Sequence, residues 1–135
     1  MVNLIRNGGF ETFETATFSP GTFITVPTGS TSIDNWIVTS GNVQVVGGYW
    51  QPSEGNNTID MDGETPGAIA QTFDTTIGQR YLVRFDLAGN SDGAPTIKTV
   101  RVEASGQFSD FTFDVTGKSR SNMGYRSQSW EFTAS

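Results

Sequence analysis

Aromatic side chains in a polar loop are the part of this sequence best suited to hold a ligand. Tyr49 and Trp50 lie between two glycines and a stretch of small and amide residues. An aromatic ring can stack on the apolar C–H face of a sugar while neighbouring amides bond its hydroxyl groups. Gln51, Asn56 and Asn57 supply those amides. The sequence therefore predicts that this loop binds a sugar, the alternative being a Trp50 that folds back over one end of the protein.

A second polar loop contains one more candidate aromatic residue. Tyr125 follows the run Ser121-Asn122-Met123-Gly124 and precedes Arg126. We predict it as a further ligand-binding residue, on the same stacking argument. Trp36 and Trp130 lie in apolar surroundings instead, so they are predicted to pack in the core.

Enzymatic chemistry has few residues to draw on in this chain. It contains no histidine and no cysteine, which excludes a Ser-His-Asp triad, thiolate nucleophiles, disulfides and the commonest zinc ligands. Catalysis would have to rest on carboxylates, Lys, Tyr or Arg, and the 14 Asp and Glu residues allow paired carboxylates of the glycosidase type. No feature distinguishes one such pair, so we expect binding without catalysis.

The charge of the chain narrows the choice of partners. The net charge is −6, which argues against nucleic acid and anionic membranes as partners and leaves carboxylates available for a cation such as calcium. No apolar run approaches the roughly 18 residues of a membrane span. The N-terminus lacks the basic and apolar regions of a signal peptide, so a secreted protein would be represented here in a processed or recombinant form.

Short alternations of apolar and polar residues recur between turn signals, which predicts an all-β fold. Sixteen glycines and five prolines interrupt the chain too often for long helices. In the clearest strand Tyr81, Val83, Phe85 and Leu87 share one face. A hairpin is predicted further along, with its turn at Gly106-Gln107. The remaining predicted strands and the two arms of the hairpin lie near residues 4–5, 23–26, 36–38, 43–46, 58–61, 68–73, 98–104, 109–115 and 128–134.

Several motifs together resemble a known family. Residues 3–11, Asn-Leu-Ile-Arg-Asn-Gly-Gly-Phe-Glu, resemble the opening of carbohydrate-binding modules with a galactose-binding-like jelly roll. Further matching stretches, in the same order along the chain, narrow the resemblance to the bacterial choice-of-anchor C surface proteins and the plant cell-wall family of domain of unknown function 642. These stretches are residues 33–36, 48–51, 59–63, 66–71 and 85–90.

The resemblance implies a fold and a function. The implied fold is a jelly-roll β-sandwich of two antiparallel sheets, with residues 1–135 as a single domain. The implied function is non-catalytic binding of cell-wall or surface polysaccharide by a secreted or surface-attached protein.

The same resemblance implies a structural calcium ion. In similar modules the glutamate at the position of Glu11 helps to hold calcium, together with backbone carbonyls and a late aspartate. The alternative is a solvated loop carboxylate. Asp60 and Asp62, at alternate positions before Gly63, could also meet a cation or sugar hydroxyls, but a solvent-facing strand end followed by a glycine turn is the interpretation that we favour.

The end of the chain departs from the family pattern, because members typically continue past the Phe132-Thr133-Ala134 segment by one or two strands. A missing terminal strand would leave an open sheet edge. We expect that edge to be filled by a strand from another chain, by domain swapping or by a rearranged N-terminus, unless the chain is truncated or closes differently. The alternative function is therefore a structural or adhesive module that assembles through this edge, as a homo-oligomer or with a strand-donating partner.

Overall fold

The computed structural model describes residues 2–13 and 21–135, and in this part of the chain all regular structure is β. The predicted all-β class is therefore confirmed. None of these residues belongs to a helix that could cross a membrane. The chain divides into two compact units, one of described residues up to Phe73 and the other Asp74–Ser135. The single domain over residues 1–135 stays a prediction, and each unit is described by itself below.

The N-terminal unit contains one three-stranded sheet and one two-stranded ladder, both antiparallel. The sheet has the order β1-β3-β4, and the ladder pairs β2 with β5. These strands are β1 (Thr22–Pro27), β2 (Ile37–Ser40), β3 (Asn42–Gly47), β4 (Thr58–Asp60) and β5 (Ala68–Ala70).

The central strand β3 carries the core of this unit. Val43, Val45 and Val46 are each at most 1% exposed. Successive strand residues point to opposite faces, so burial of both Val45 and Val46 means that both faces of β3 are covered. Val43 and Val45 form one buried cluster with Val26, Ile33 and Val38. Seven half-buried residues pack around it: Phe10, Phe13, Ile24, Trp36, Ile59, Met61 and Ile69.

The C-terminal unit consists of two antiparallel ladders, β6 with β9 and β7 with β8. Within it the ladders touch where the ring of Phe85 meets the edge of Phe111, with centroids 5.1 Å apart. Tyr81 stacks on Phe132 at 5.5 Å. The strands are β6 (Arg80–Leu87), β7 (Ile97–Ala104), β8 (Gln107–Asp114) and β9 (Arg126–Thr133).

The strand predictions agree with this structure in all but one place. The apolar face predicted for β6 is confirmed, because alternate residues along it are half-buried and exposed. The predicted hairpin is confirmed too, with the turn one residue earlier, at Ser105 (φ 51°) and Gly106 (φ 73°). Two positive φ values in a two-residue turn match the twist of the flanking strands. The exception is residues 4–5, which form no strand.

A charged pair joins the two arms of this hairpin. Arg101 lies directly opposite Asp110, and its Nε donates to one carboxylate oxygen at 2.7 Å while a terminal nitrogen donates to the other at 3.0 Å. The guanidinium also lies 4.0 Å from the ring centroid of Phe108. The hydrogen bond from Arg101 lowers the pKa of Asp110 below its ordinary value.

We predict a pH-dependent effect of the substitution Asp110→Asn. A carboxyl group whose pKa is lowered by folding stabilises the folded state above its ordinary pKa, and this contribution is lost as the pH falls through the lowered value. Asp110→Asn should therefore reduce the melting temperature slightly at neutral pH, and the difference from the wild type should shrink as the pH falls below the ordinary aspartate pKa of about 3.9. Thermal melts followed by circular dichroism, at a series of pH values from neutral to acidic, measure this difference in melting temperature. Asp74→Asn, an exposed acid in the same unit, is the control, and an equal loss there would contradict the pairing.

Candidate ligand-binding site

The amide of Asn7 fixes the turn that opens the N-terminal unit. Its Oδ1 accepts hydrogen bonds from the backbone N–H groups of Glu11 (3.0 Å) and Thr12 (3.2 Å). Its Nδ2 donates to the carbonyl oxygens of Thr12 (3.1 Å) and Asp34 (2.8 Å). Asn7 itself has a φ of 51°, a left-handed conformation that asparagine tolerates better than most residues. The turn is thereby attached to the segment that precedes β2.

The main chain of Asn7 also positions Trp36. The indole Nε1 donates to the Asn7 carbonyl oxygen at 3.0 Å, and the indole ring packs against Phe10 with centroids 5.6 Å apart. Trp36 remains half-buried and lines an open groove of about 530 Å³. The residues that line this groove are Thr31, Asp34, Asn35, Trp36, Ile37, Ala70, Gln71 and Thr72.

Gln71, which lines the groove, bonds the backbone of Arg6 through its side-chain amide, as a neighbouring strand would. Gln71 Oε1 accepts from the Arg6 backbone N–H at 2.9 Å, and Gln71 Nε2 donates to the Arg6 carbonyl oxygen at 2.9 Å. The Arg6 guanidinium donates to the Thr72 carbonyl oxygen at 3.0 Å. This explains why residues 4–5 form no strand, since the neighbouring Arg6 backbone is bonded by an amide side chain in place of a ladder.

The groove combines an apolar ring with unused polar groups. In the described part of the chain, neither the Asp34 carboxylate nor the Asn35 amide forms an intramolecular hydrogen bond. Asn35 adopts a φ of 69°, next to the half-buried indole of Trp36. An aromatic surface flanked by a free carboxylate and a free amide can accept the apolar face and the hydroxyls of a sugar.

The structure brings three of the sequence-predicted residues together in a second place. Glu11 Oε1 accepts from the backbone N–H groups of Asn56 (2.6 Å) and Asn57 (3.2 Å), and its Oε2 accepts from Asn57 Nδ2 (2.7 Å). Gly55, with a φ of 61°, lies so close that a Cβ would overlap Glu11 Oε1. The loop thus closes around the Glu11 carboxylate, because successive backbone N–H groups commonly surround an anion. The calcium site at Glu11 stays a prediction.

The aromatic pair of this loop is less open than its sequence suggests. Trp50 is only 7% exposed, which agrees with the alternative that it folds back, and its ring therefore offers little surface for stacking. Tyr49 is half-buried between Trp50 and Phe23, with ring centroids at 6.0 and 5.3 Å. Gln51 is exposed beside them. Ligand contact by Tyr49, Trp50, Gln51, Asn56 and Asn57 stays a prediction.

Sequence reasoning did not select the residues of the groove. Trp36 was predicted in the core because apolar residues follow it, and it does pack on the core with part of its surface. A signal was present in the two polar residues before it, Asp34 and Asn35, which a buried strand would not carry. Tyr125, the remaining predicted residue, belongs to the C-terminal unit, where it is half-buried after Gly124.

We predict that Asn7→Asp destabilises the N-terminal unit. Aspartate keeps the acceptor oxygen but cannot donate, so the carbonyl oxygens of Thr12 and Asp34 lose their partners. The free energy of unfolding should fall by about 2 kcal/mol, as measured by urea denaturation. Asn3→Asp is a matched control, because Asn3 uses only its Oδ1, as an acceptor for the Ile5 N–H. Equal stability of the two variants would show that the Asn7 donors contribute nothing.

We predict that Glu11→Gln loosens the loop without unfolding the protein. Glutamine replaces one charged acceptor oxygen by an amide nitrogen, which weakens the bonds from Asn56 and Asn57. Amide hydrogen exchange at these two residues should accelerate about 5- to 10-fold, as expected for a weakened charge-assisted bond. Glu54→Gln removes the same charge from an exposed position of the same loop and should leave their exchange unchanged. Unaltered exchange in Glu11→Gln would exclude this role for Glu11.

Comparison with known proteins places the chain in a family. The family model described as "Protein of unknown function (DUF642)" matches residues 3–135. The chain is 32% identical over 118 residues to Halomucin of Haloquadratum walsbyi (strain DSM 16790 / HBSQ001), a match that covers 87% of this chain and 1% of Halomucin. The chain thus spans a very small part of that relative. No solved structure matches it significantly. The chain belongs to the DUF642 family of proteins of unknown function.

Proposed function

We propose that this chain binds a polysaccharide or other glycan, without catalysis, in the groove beside Trp36. The observation that supports this proposal is a half-buried indole next to Asp34 and Asn35, whose side chains form no hydrogen bond with the residues that the structure describes. The groove volume of about 530 Å³ lies within the range of roughly 300–1,000 Å³ that is usual for small-molecule sites.

The indole is held in a way that suits recognition. Its N–H is already bonded to Asn7 and part of its surface packs on Phe10, so the ring orientation is set before a ligand arrives. Preorganised aromatic surfaces lose little conformational entropy on binding. The polar groups around it are short side chains, which likewise lose little.

The proposal includes a fold and a location. Antiparallel ladders with alternating burial support a β-sandwich, and we propose the jelly-roll, galactose-binding-like arrangement of two sheets within one domain. The similarity to a segment of Halomucin supports a secreted or surface location, and the family motifs support a relation to the choice-of-anchor C proteins.

One observation favours the alternative function of assembly. The outer side of the β7–β8 ladder exposes two large apolar residues, Ile97 (49%) and Phe108 (57%). The two residues lie near opposite ends of the ladder, because Ile97 pairs with Asp114 and Phe108 with Glu103, so each offers a separate small apolar contact to a second chain. Sedimentation over a concentration series separates the two functions. A constant monomer mass favours glycan binding, whereas an oligomer that Phe108→Ser dissociates favours assembly.

We predict that Asn35→Gly weakens glycan binding and preserves the fold. Glycine accepts the φ of 69° without strain, so the variant removes the amide and little else. Isothermal titration with a neutral glycan selected from an array should show about 10-fold weaker binding, the effect of one lost hydrogen bond that leaves a sugar hydroxyl unpaired. Circular dichroism should be unchanged.

A second variant decides between the groove and the Tyr49–Asn57 loop. Asn56→Ala removes an exposed amide from that loop while its backbone N–H still bonds Glu11, and it should leave the affinity unchanged. Weaker binding in Asn56→Ala with normal binding in Asn35→Gly would move the site to the loop. A wild-type protein that binds no glycan on the array would overturn the proposed function.

A further inference from the structure

One end of the C-terminal unit contains several basic residues, although the chain as a whole is acidic. Leu87 at the end of β6 pairs with Arg126 at the start of β9, and Ile97 at the start of β7 pairs with Asp114 at the end of β8. The loops 88–96 and 115–125 therefore emerge at the same end. It contains Lys98, Lys118, Arg120 and Arg126, half of the eight Lys and Arg residues of a chain with net charge −6.

The two loops at this end are joined by a salt bridge. Arg120 Nε donates to Asp92 Oδ2 at 2.9 Å, across the gap between the loops. The stem of Lys98 passes over Gly89 in the first of these loops, and its ammonium donates to the Gly93 carbonyl oxygen of the same loop at 2.7 Å. The salt bridge thus neutralises Asp92 and joins the two loops, and the Lys98 bond holds the first of them in place.

Two cations at this end lie outside the salt bridges that the described residues form. Within the described residues neither Lys118 nor Arg126 forms an ion pair. Both influence the carboxylate of Asp114, whose pKa is lowered first by hydrogen bonds from Thr116 and less by the charges of Arg126 and Lys118. The Thr116 N–H already occupies Asp114 Oδ1 at 2.9 Å. Lys118 and Arg126 thus act on the same carboxylate without a salt bridge to it, which leaves both available to an external anion.

The position of Lys118 is fixed by a glycine. A Cβ at Gly124 (φ +66°) would lie 2.7 Å from Lys118 Nζ and 2.8 Å from its Cε. The stem of Lys118 therefore occupies the space where any other residue would place its side chain. Tyr125 follows directly, half-buried, and Arg126 comes next. Lys118 therefore packs on the residue two positions before Arg126, with Tyr125 between them in the sequence.

We propose that this cluster, Lys118, Tyr125 and Arg126, binds a sugar residue that carries a carboxylate or a sulfate group. The ring of Tyr125 would contact the sugar, and the two cations would bond its anionic group, as charge-assisted bonds favour. This site lies in the C-terminal unit and stands independently of the groove beside Trp36.

The test is isothermal titration at low salt with three probes. They are an oligogalacturonide, its methyl ester and a sulfated galactan oligomer. Lys118→Gln and Arg126→Gln should each weaken binding of an anionic probe about 10-fold, the loss of one charge-assisted bond. The methyl ester should not bind at this site. The stronger of the two anionic probes identifies the group as carboxylate or sulfate.

Arg84→Gln is the matched control for charge. Arg84 is exposed on the same β6–β9 ladder, opposite Ser129, on the face away from the one that Arg126 shares with Gln128. Its loss should change the affinity less than about 2-fold, the effect of a screened surface charge.

Three outcomes would overturn the proposal. They are the absence of binding by either anionic probe, an equal loss in Arg84→Gln, and a loss caused by Asn35→Gly in place of Lys118→Gln. The last outcome would move the anion to the Trp36 groove. Failure of neutral glycans to bind would count against the proposed function of the groove and leave this second site standing.

Discussion

The amide of Asn7 is the constraint on which the candidate sites of the N-terminal unit depend. The turn needs one short side chain that donates two hydrogen bonds and also accepts, and only asparagine provides this combination at its length. Through it, the turn reaches Asp34 on one side and Glu11 on the other. The indole of Trp36 rests on the same residue through its main chain. The groove beside Trp36 and the loop that Glu11 bonds at Asn56 and Asn57 therefore both depend on the bonds of Asn7.

Strands could be predicted from the sequence wherever the hydrophobic pattern was complete. The alternation of Tyr81, Val83, Phe85 and Leu87 gives the face of β6 correctly because these four residues are half-buried and the residues between them are exposed. The pattern failed near Leu4, where the partner of the neighbouring backbone is the Gln71 side chain. A ladder replaced by an amide has no periodic signature, so alternation alone could not reveal it.

The candidate site was only partly predictable, because exposure depends on distant segments. Trp36 was expected in the core and is half-buried at a groove, whereas Trp50 was expected in an open loop and is almost fully buried. Each interpretation used the flanking residues, yet burial is set by residues far along the chain. The bonds between Glu11 and Asn56 and Asn57 span 45 and 46 positions, a pairing that local spacing cannot indicate.

The residue after Asn7 makes this asparagine prone to deamidation. Asn7 precedes Gly8, and asparagine before glycine deamidates readily, because glycine leaves its backbone nitrogen unobstructed for attack on the side-chain amide. In the folded protein that amide is engaged by four hydrogen bonds, which hold it away from the cyclic intermediate. In the unfolded chain it is unprotected, and the aspartate or isoaspartate formed there lacks the donors that the turn requires. Each unfolding event therefore exposes Asn7 to irreversible deamidation, which would remove the donors that hold the turn.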